Sequence, residues 1–222
     1  LMQLNTYIDH TLLKATATDN DIIQLCEQAN KYSFFAVCVN GCYVKLAKKT
    51  LVNSDVKIAA VIGFPLGAMT TEVKIFEAVN CIENGASEID MVINVGKLLA
   101  GEHDYVENEI RLIKKAIGNN VLKVIFENCY LSEEKLKTVC LLAVNAGADF
   151  IKTSTGFGTS GATFKQVELM KFTVKNSVQI KAAGGIKDIE TAAKYIKLGA
   201  TRLGTSAGVS LVTKGVSEND NY

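Results

Sequence analysis

The sequence predicts an α/β chain folded as a single-domain (β/α)8 TIM barrel spanning residues 1–222, and three observations predict it. Short apolar, β-branched runs alternate with longer stretches of helical period along all 222 residues, and strict βα alternation builds a parallel sheet. A local pattern recurs three times, as Gly85-Ala86-Ser87-Glu88-Ile89-Asp90, Gly147-Ala148-Asp149-Phe150-Ile151-Lys152 and Gly199-Ala200-Thr201-Arg202-Leu203-Gly204, each ending a helix on Gly and opening a strand. Eight such strands in 222 residues suit a compact barrel, which needs about 200 residues or more. An open doubly wound sheet is the architectural alternative.

The predicted strands are 6–10, 35–39, 57–62, 88–94, 122–127, 150–154, 178–181 and 202–204. Each is a run of β-branched or aromatic residues bounded by polar or Gly-containing turns. The intervening segments carry helical periodicity. In 71–84 the apolar positions are Val73, Phe76, Val79 and Ile82, with Gly85 as the stop, and a second helix over 132–146 stops at Gly147.

Alternation inside the strands separates two phases. Ile89, Met91 and Ile93 share one face of their strand, and Asp90 and Asn94 share the other; Leu122, Val124 and Phe126 likewise oppose Lys123, Ile125 and Glu127. Ile151 opposes Lys152, Ile180 opposes Lys181, and Ile8 opposes Asp9. The apolar phase is expected to face the helices and the ionisable phase the barrel axis. That places Asp9, Asp90 and Glu127 against Lys123, Lys152 and Lys181, a balance that matters because an unpaired buried charge costs several kcal/mol. A structural ion-pair network is the plain reading, but clustering near the C-terminal ends of strands favours an active site.

Lys152 and Lys181 fall in inward register on neighbouring strands. Repulsion between two ammonium groups, with partial desolvation, lowers a lysine pKa toward neutrality. A neutral amine attacks a carbonyl to form a Schiff base, an electron sink, and a carboxylate such as Asp90 can move protons through water. The turns after the late strands, Ser154-Thr155-Gly156, Ala183-Gly184-Gly185 and Gly204-Thr205-Ser206, offer backbone amides and hydroxyls for a phosphate.

Composition narrows the partners. Lys+Arg 24 against Asp+Glu 23 gives a net charge of +1, so no basic field recommends nucleic acid. The apolar stretch 58–69 is far short of the roughly 20 residues of a membrane helix, and no secretory leader is visible at Leu1-Met2-Gln3-Leu4. A cytoplasmic protein acting on a small molecule is expected. Cys26, Cys38, Cys42, Cys81, Cys129 and Cys140 include no C-x-x-C pair, and with only His10 and His103 beside them no metal cluster is expected. His10, in the apolar phase, is expected to be structural, and Cys38 to be a core thiol on the inward phase. Gly156-Phe157-Gly158-Thr159-Ser160-Gly161 matches G-x-G-x-x-G formally. About 20 residues on, however, stand Lys181 and Ala182 where a nicotinamide site wants an acid.

The segments Ile8-Asp9-His10-Thr11-Leu12-Leu13-Lys14, Val61-Ile62-Gly63-Phe64-Pro65-Leu66-Gly67, Glu88-Ile89-Asp90-Met91-Val92-Ile93-Asn94, Lys123-Val124-Ile125-Phe126-Glu127, Phe150-Ile151-Lys152-Thr153-Ser154-Thr155-Gly156 and Lys181-Ala182-Ala183-Gly184-Gly185-Ile186 together carry a resemblance over nearly the whole chain. The chain resembles the deoxyribose-phosphate aldolase family of class I aldolases. The resemblance implies reversible cleavage of 2-deoxyribose 5-phosphate into acetaldehyde and glyceraldehyde 3-phosphate, as in deoxyribonucleotide catabolism, with no cofactor. It implies Lys152 as the Schiff-base lysine, Lys181 as the group that lowers its pKa, and Asp90 as proton relay. Asp9, Thr11, Lys123 and Thr155 would serve the substrate; Gly156, Gly184, Gly185, Gly204 and Ser206 would hold the phosphate. A homodimer is compatible with it. Ala15, Gly41 and Asn128-Cys129-Tyr130 depart from common family residues, in loops. Two readings stay open for Tyr222: a residue on a mobile tail, 216–222, that enters the site, or an incidental terminal tyrosine. A barrel that only binds phosphosugars is the alternative function.

Overall fold

A computed structural model of the chain describes residues 3–213; the expected tail and Tyr222 lie outside the described residues. The strands β1 (Ile8–Leu12), β2 (Ala36–Asn40), β3 (Lys57–Ile62), β4 (Glu88–Val92), β5 (Val121–Ile125), β6 (Phe150–Lys152), β7 (Gln179–Ala183) and β8 (Arg202–Thr205) pair in sequence order into a closed barrel. Every pairing is parallel, including β1 with β8, where Asp9 lies opposite Gly204. The helices α1 (Asp19–Lys31), α2 (Val44–Thr50), α3 (Thr71–Glu83), α4 (Val95–Leu99), α5 (His103–Ile117), α6 (Glu133–Asn145), α7 (Phe164–Val174), α8 (Ile189–Lys197) and α9 (Gly208–Thr213) connect them. The (β/α)8 expectation holds and the open sheet is excluded.

Strand phase decides which side chains meet the helices. Ile8, Val37, Val39, Ile58, Ala60, Ile62, Ile89, Met91, Leu122, Val124, Ile151, Ile180, Ala182 and Leu203 form one buried layer with helix residues such as Ile22, Ile110, Leu136 and Met170. Burial contributes about 1.5–3 kcal/mol for each large aliphatic side chain, and this layer offsets the cost of a polar interior. The opposite phase splits by position around the barrel. On the β2–β3 side it is small and apolar, with Leu13, Cys38, Ala59 and Val61 packed beside Phe64. From β4 round to β1 it is ionisable.

Helix ends follow local chemistry. Ser132 accepts a bond from Lys135 N, 3.2 Å, to start α6. Thr18 and Asp21 form a reciprocal capping box on α1. Gly85 and Gly147, at φ +113° and +83°, take up the positive-φ positions that end α3 and α6.

Only the third strand keeps the expected bounds, the others shifting at one or both ends, and in three of them a local reason is plain. The first begins at Ile8, because residues Leu4–Tyr7 form a 3-10 turn in which the Thr6 hydroxyl donates to Gln3 O at 2.9 Å. The fourth ends at Val92, because Asn94 caps α4 by accepting from Lys97 N at 3.1 Å. The fifth ends at Ile125, because Glu127 turns into the left-handed region at φ +53°. His10 faces outward as expected, its Nε2 2.8 Å from Gln28 Oε1 and its ring 5.1 Å from that of Phe34. The six cysteines are free. Among the described residues no helix is long and apolar enough to cross a membrane, and no group of three or more His, Cys, Asp or Glu could hold a metal ion.

Candidate active site

Parallel pairing puts Lys152 directly opposite Lys181 and Asp90 opposite Lys123, so four ionisable side chains meet on the axis. Asp90 is their hub. Its Oδ2 accepts from Lys152 Nζ at 2.8 Å and from Lys181 Nζ at 2.7 Å, and its Oδ1 from Lys123 Nζ at 2.7 Å. Asp90, Lys123 and Lys181 are fully buried, and Lys152 is 3% exposed.

The cluster is larger than the alternation predicted. Glu88 lies two residues before Asp90 and Arg202 two before Gly204, each on the inward phase, and both join it. Arg202 Nη2 meets Glu88 Oε2 at 2.8 Å and its Nε meets Asp9 Oδ1 at 2.7 Å. Glu88 Oε2 also lies 2.5 Å from Lys123 Nζ, and Asp9 Oδ2 2.5 Å from Lys181 Nζ. The signal for both residues was present in the strand phase, since Glu88 alternates with Ile89 as Asp90 does.

Glu127 is the correction. It was expected to balance the lysines, but its left-handed backbone carries the carboxylate away from them to Thr155. There it accepts from the Thr155 backbone N–H at 3.1 Å and from the Thr155 hydroxyl.

With Glu127, itself buried, turned to Thr155, the axial cluster holds three carboxylates (Asp9, Glu88, Asp90) against four cationic side chains (Lys123, Lys152, Lys181, Arg202). One positive charge is in excess, and the physical chemistry of burial assigns it. Lys181 is desolvated, which opposes its charge, but Asp9 and Asp90 outweigh that and raise its pKa, so it stays an ammonium. Burial likewise opposes Asp9 ionisation, yet Lys181, Arg202 and Lys123 hold its carboxyl at about 2. Asp90 is held well below the carboxylate range, Lys123, Lys152 and Lys181 overcoming its desolvation. Lys152 moves toward neutrality: burial lowers its pKa, Asp90 raises it less, and charged Lys181 adds to the lowering. The two lysines therefore differ, Lys181 staying charged and Lys152 being weakened beside it.

Lys152 is also the member of the cluster that reaches open space. A cavity of about 280 Å³ at the C-terminal end of the barrel is lined by Lys152, Thr11, Leu13, Thr155, Phe157 and three glycine turns. Those turns contain Gly156, Gly184, Gly185, Gly204 and Ser206, so the expected phosphate-side residues share one wall. Thr11 lies on the cavity and donates to Asp9 O at 2.7 Å. Asp9 and Lys123 are fully buried, so they adjoin the site through the cluster and do not contact the cavity. Lys14 and Lys187 line the mouth and were not singled out as site residues. Lys14 follows Leu12-Leu13 and Lys187 follows Gly184-Gly185-Ile186, but an exposed lysine has no periodicity to mark it.

The glycine wall depends on close backbone approach. A Cβ on Gly161 would lie 2.3 Å from Gly184 O, and one on Gly204 would lie 3.1 Å from Lys181 Cε. The G-x-G-x-x-G run does not open a helix directly: α7 begins at Phe164 with Thr163 as its cap. Across the mouth, the rings of Phe64 and Phe157 meet edge to face at 5.4 Å. Cys38 sits on the inward face as expected, with its thiol pKa raised by burial.

A buried amine that opens onto a cavity, held against a carboxylate and a permanent cation, is suited to carbonyl addition. Comparison with known proteins agrees. Residues 4–214 match the family described as DeoC/LacD family aldolase. A deoxyribose-phosphate aldolase of Finegoldia magna is 53% identical over 211 residues, covering 95% of this chain and 99% of that one. A solved structure described as QR15, an aldolase, superposes with a TM-score of 0.93 at 40% identity, covering 97% of this chain and 96% of that one. The deoxyribose phosphate aldolase of Aeropyrum pernix, described as tetrameric, gives a TM-score of 0.88 at 32% identity, covering 96% and 91%.

Proposed function

The chain belongs to the DeoC/LacD family of aldolases, and from that premise we propose that it cleaves 2-deoxyribose 5-phosphate reversibly through a Schiff base on Lys152. The observation that carries the reading is the excess of one positive charge within the axial cluster, relieved at the one lysine of that cluster that lines the cavity. No cofactor is called for, because the iminium itself supplies the electron sink.

In the cleavage direction the free Lys152 amine adds to C1 of the open-chain sugar, and the carbinolamine loses water to give an iminium. The C3 hydroxyl proton leaves, the C2–C3 bond breaks, and its electron pair moves into the iminium to form an enamine. Glyceraldehyde 3-phosphate departs. A proton returned to C2 regenerates the iminium, and hydrolysis releases acetaldehyde and the lysine. Asp90, hydrogen-bonded to Lys152 and Lys181 at 2.8 and 2.7 Å, is the group placed to pass protons by way of water. Lys181 stays charged and holds the neighbouring amine free. Thr11 and Thr155 offer hydroxyls to the sugar, Asp9 and Lys123 support the cluster, and Gly156, Gly184, Gly185, Gly204 and Ser206 receive the phosphate. Lys14 and Lys187 add positive charge at that end.

A role in deoxyribonucleotide breakdown and a cytoplasmic setting belong to the same proposal; the free thiols suit a reducing compartment. A homodimer belongs to it as well, beside a relative described as tetrameric.

The test is intact mass and peptide mapping after incubation with acetaldehyde and borohydride, alongside turnover of 2-deoxyribose 5-phosphate. One ethyl adduct of about 28 Da, the mass a reduced acetaldehyde imine leaves, is expected at Lys152. Adducts scattered over surface lysines, with no turnover, would refute the reading. A second variant examines the phosphate wall. Gly161→Ala forces Gly184 away and is expected to raise KM for the phosphorylated sugar about tenfold, as loss of roughly 1.4 kcal/mol of uniform binding does. Acetaldehyde trapping at Lys152 should persist in it; an unchanged KM would place the phosphate elsewhere.

A further inference from the structure

We propose that Arg202 and Glu88, neither of which touches the cavity, are positioning residues that set how much of the Asp90 negative charge reaches Lys152 and so fix the pH at which its amine becomes free. This rests on the Schiff-base reading and adds to it the means by which the lysine is tuned.

The connection runs through shared carboxylates. Arg202 holds Asp9 Oδ1 at 2.7 Å and Glu88 Oε2 at 2.8 Å. The remaining charge of each acid falls on a lysine, Asp9 on Lys181 and Glu88 on Lys123, both at 2.5 Å. Those lysines in turn share Asp90 with Lys152. Removing the Arg202 charge leaves Asp9 and Glu88 to draw Lys181 and Lys123 more strongly. Asp90 then has more charge to offer Lys152, and the ammonium form of Lys152 gains. Removing the Glu88 charge does the reverse, because Lys123 leans wholly on Asp90. The direct field has the same sign in each case: losing a buried cation favours protonation of Lys152, and losing a buried anion opposes it.

The geometry makes Arg202 a fixed charge. Its guanidinium lies 3.7 Å from the Phe35 ring centroid and 5.8 Å from that of Phe150, a stacked setting for a bidentate cation. Facing Lys152 are Asp90 and Glu88 from β4, Lys123 from β5, Lys181 from β7, Asp9 from β1, Arg202 from β8 and Cys38 from β2. The inward residues of β3, Ala59 and Val61, are apolar. Glu127 is engaged by Thr155, and Lys14 and Lys187 line the cavity above.

The experiment is the acid limb of kcat/KM for 2-deoxyribose 5-phosphate, which reports the free enzyme, in the wild type, R202M, E88Q, the double variant and R202K. Trapping by acetaldehyde and cyanoborohydride is mapped in each. R202M is expected to move the midpoint up by about one pH unit and E88Q to move it down by about one, the scale of one close charge. The double variant, which removes one charge of each sign, should return to the wild-type midpoint. R202K keeps the charge and should hold that midpoint while melting lower, since the fork and the ring stacking are lost. Should R202M fail to fold, E88Q and the double variant decide the matter. Midpoints that stay put, or single variants that shift in the same direction, would overturn the inference. A wild-type adduct that does not map to Lys152 would instead overturn the Schiff-base reading beneath it.

Discussion

Lys152→Ala is expected to lower kcat for 2-deoxyribose 5-phosphate by roughly 10⁴-fold or more, the scale on which removal of a covalent nucleophile acts, and to leave the fold intact. No neighbour can take its place. Lys181 lies directly opposite it, yet Asp9 and Asp90 keep that amine charged against the pull of burial, and an ammonium does not attack a carbonyl. The variant should also melt at or above the wild-type temperature. It removes the excess positive charge from a cluster that still holds Asp9, Glu88 and Asp90 against Lys123, Lys181 and Arg202, and the space it opens joins the existing cavity instead of forming a dry void. Mass spectrometry after acetaldehyde trapping, steady-state turnover and a thermal melt read the three parts separately. Turnover within tenfold of wild type would move the nucleophile elsewhere. A lost fold would mean that Lys152 is mainly a structural counter-ion. The alternative of a barrel that only binds phosphosugars makes a contrary forecast, since binding alone gives the wild type no turnover to lose.

That contrast shows what strand phase could and could not reveal. Period-two alternation was enough to put Asp90, Lys123, Lys152 and Lys181 on one side of the sheet, because a strand has only two faces and the helices claim one of them. The three recurrences of Gly-Ala before a strand give Asp90, Lys152 and Gly204 equivalent places on β4, β6 and β8, and the pairing of β6 with β7 brings Lys152 opposite Lys181. What alternation lacks is any account of a chain leaving the strand. Glu127 follows the phase of Lys123 in sequence, yet its backbone turns at φ +53° and its carboxylate serves Thr155. Glu88 and Arg202 share the inward phase, but their place on the strand masks it. Both stand at the first residue of a strand, where a charged side chain reads as solvent-facing, and only closure of β8 onto β1 brings Arg202 to Asp9, 193 residues away in sequence. The glycine wall was legible as turns, but the close approach of Gly161 to Gly184 was not, since nothing local links them.

Asp90→Asn should produce the largest loss of stability of any single change in the site, and its effect on chemistry should be separable from that loss. The amide keeps the shape but cannot balance Lys123, Lys152 and Lys181, leaving two buried carboxylates for four cationic side chains. Breaking a buried pair from one side costs about 3–5 kcal/mol, which a denaturant titration at neutral pH would read. The acid dependence has a definite sign. Asp9, at about 2 in the fold against an ordinary 3.8, and Asp90, held well below 3.8, both bind protons less readily than in the unfolded chain. Their contribution is therefore fully present above about pH 4 and is lost as pH falls toward and below 2. Asp90→Asn removes one of the two, so the variant should start lower at pH 7 and lose less on acidification than the wild type. In the chemistry, the carboxylate that raises the Lys152 pKa is gone while burial and Lys181 still lower it. The amine should then be free to a lower pH, and acetaldehyde trapping at Lys152 should survive in the folded fraction. Turnover should nevertheless fall by about 10²–10⁴-fold, the range for loss of a positioned proton carrier. Trapping that persists while turnover collapses is the signature of a proton relay. Trapping and turnover that fall together would reduce Asp90 to the counter-ion that holds its three lysines in place.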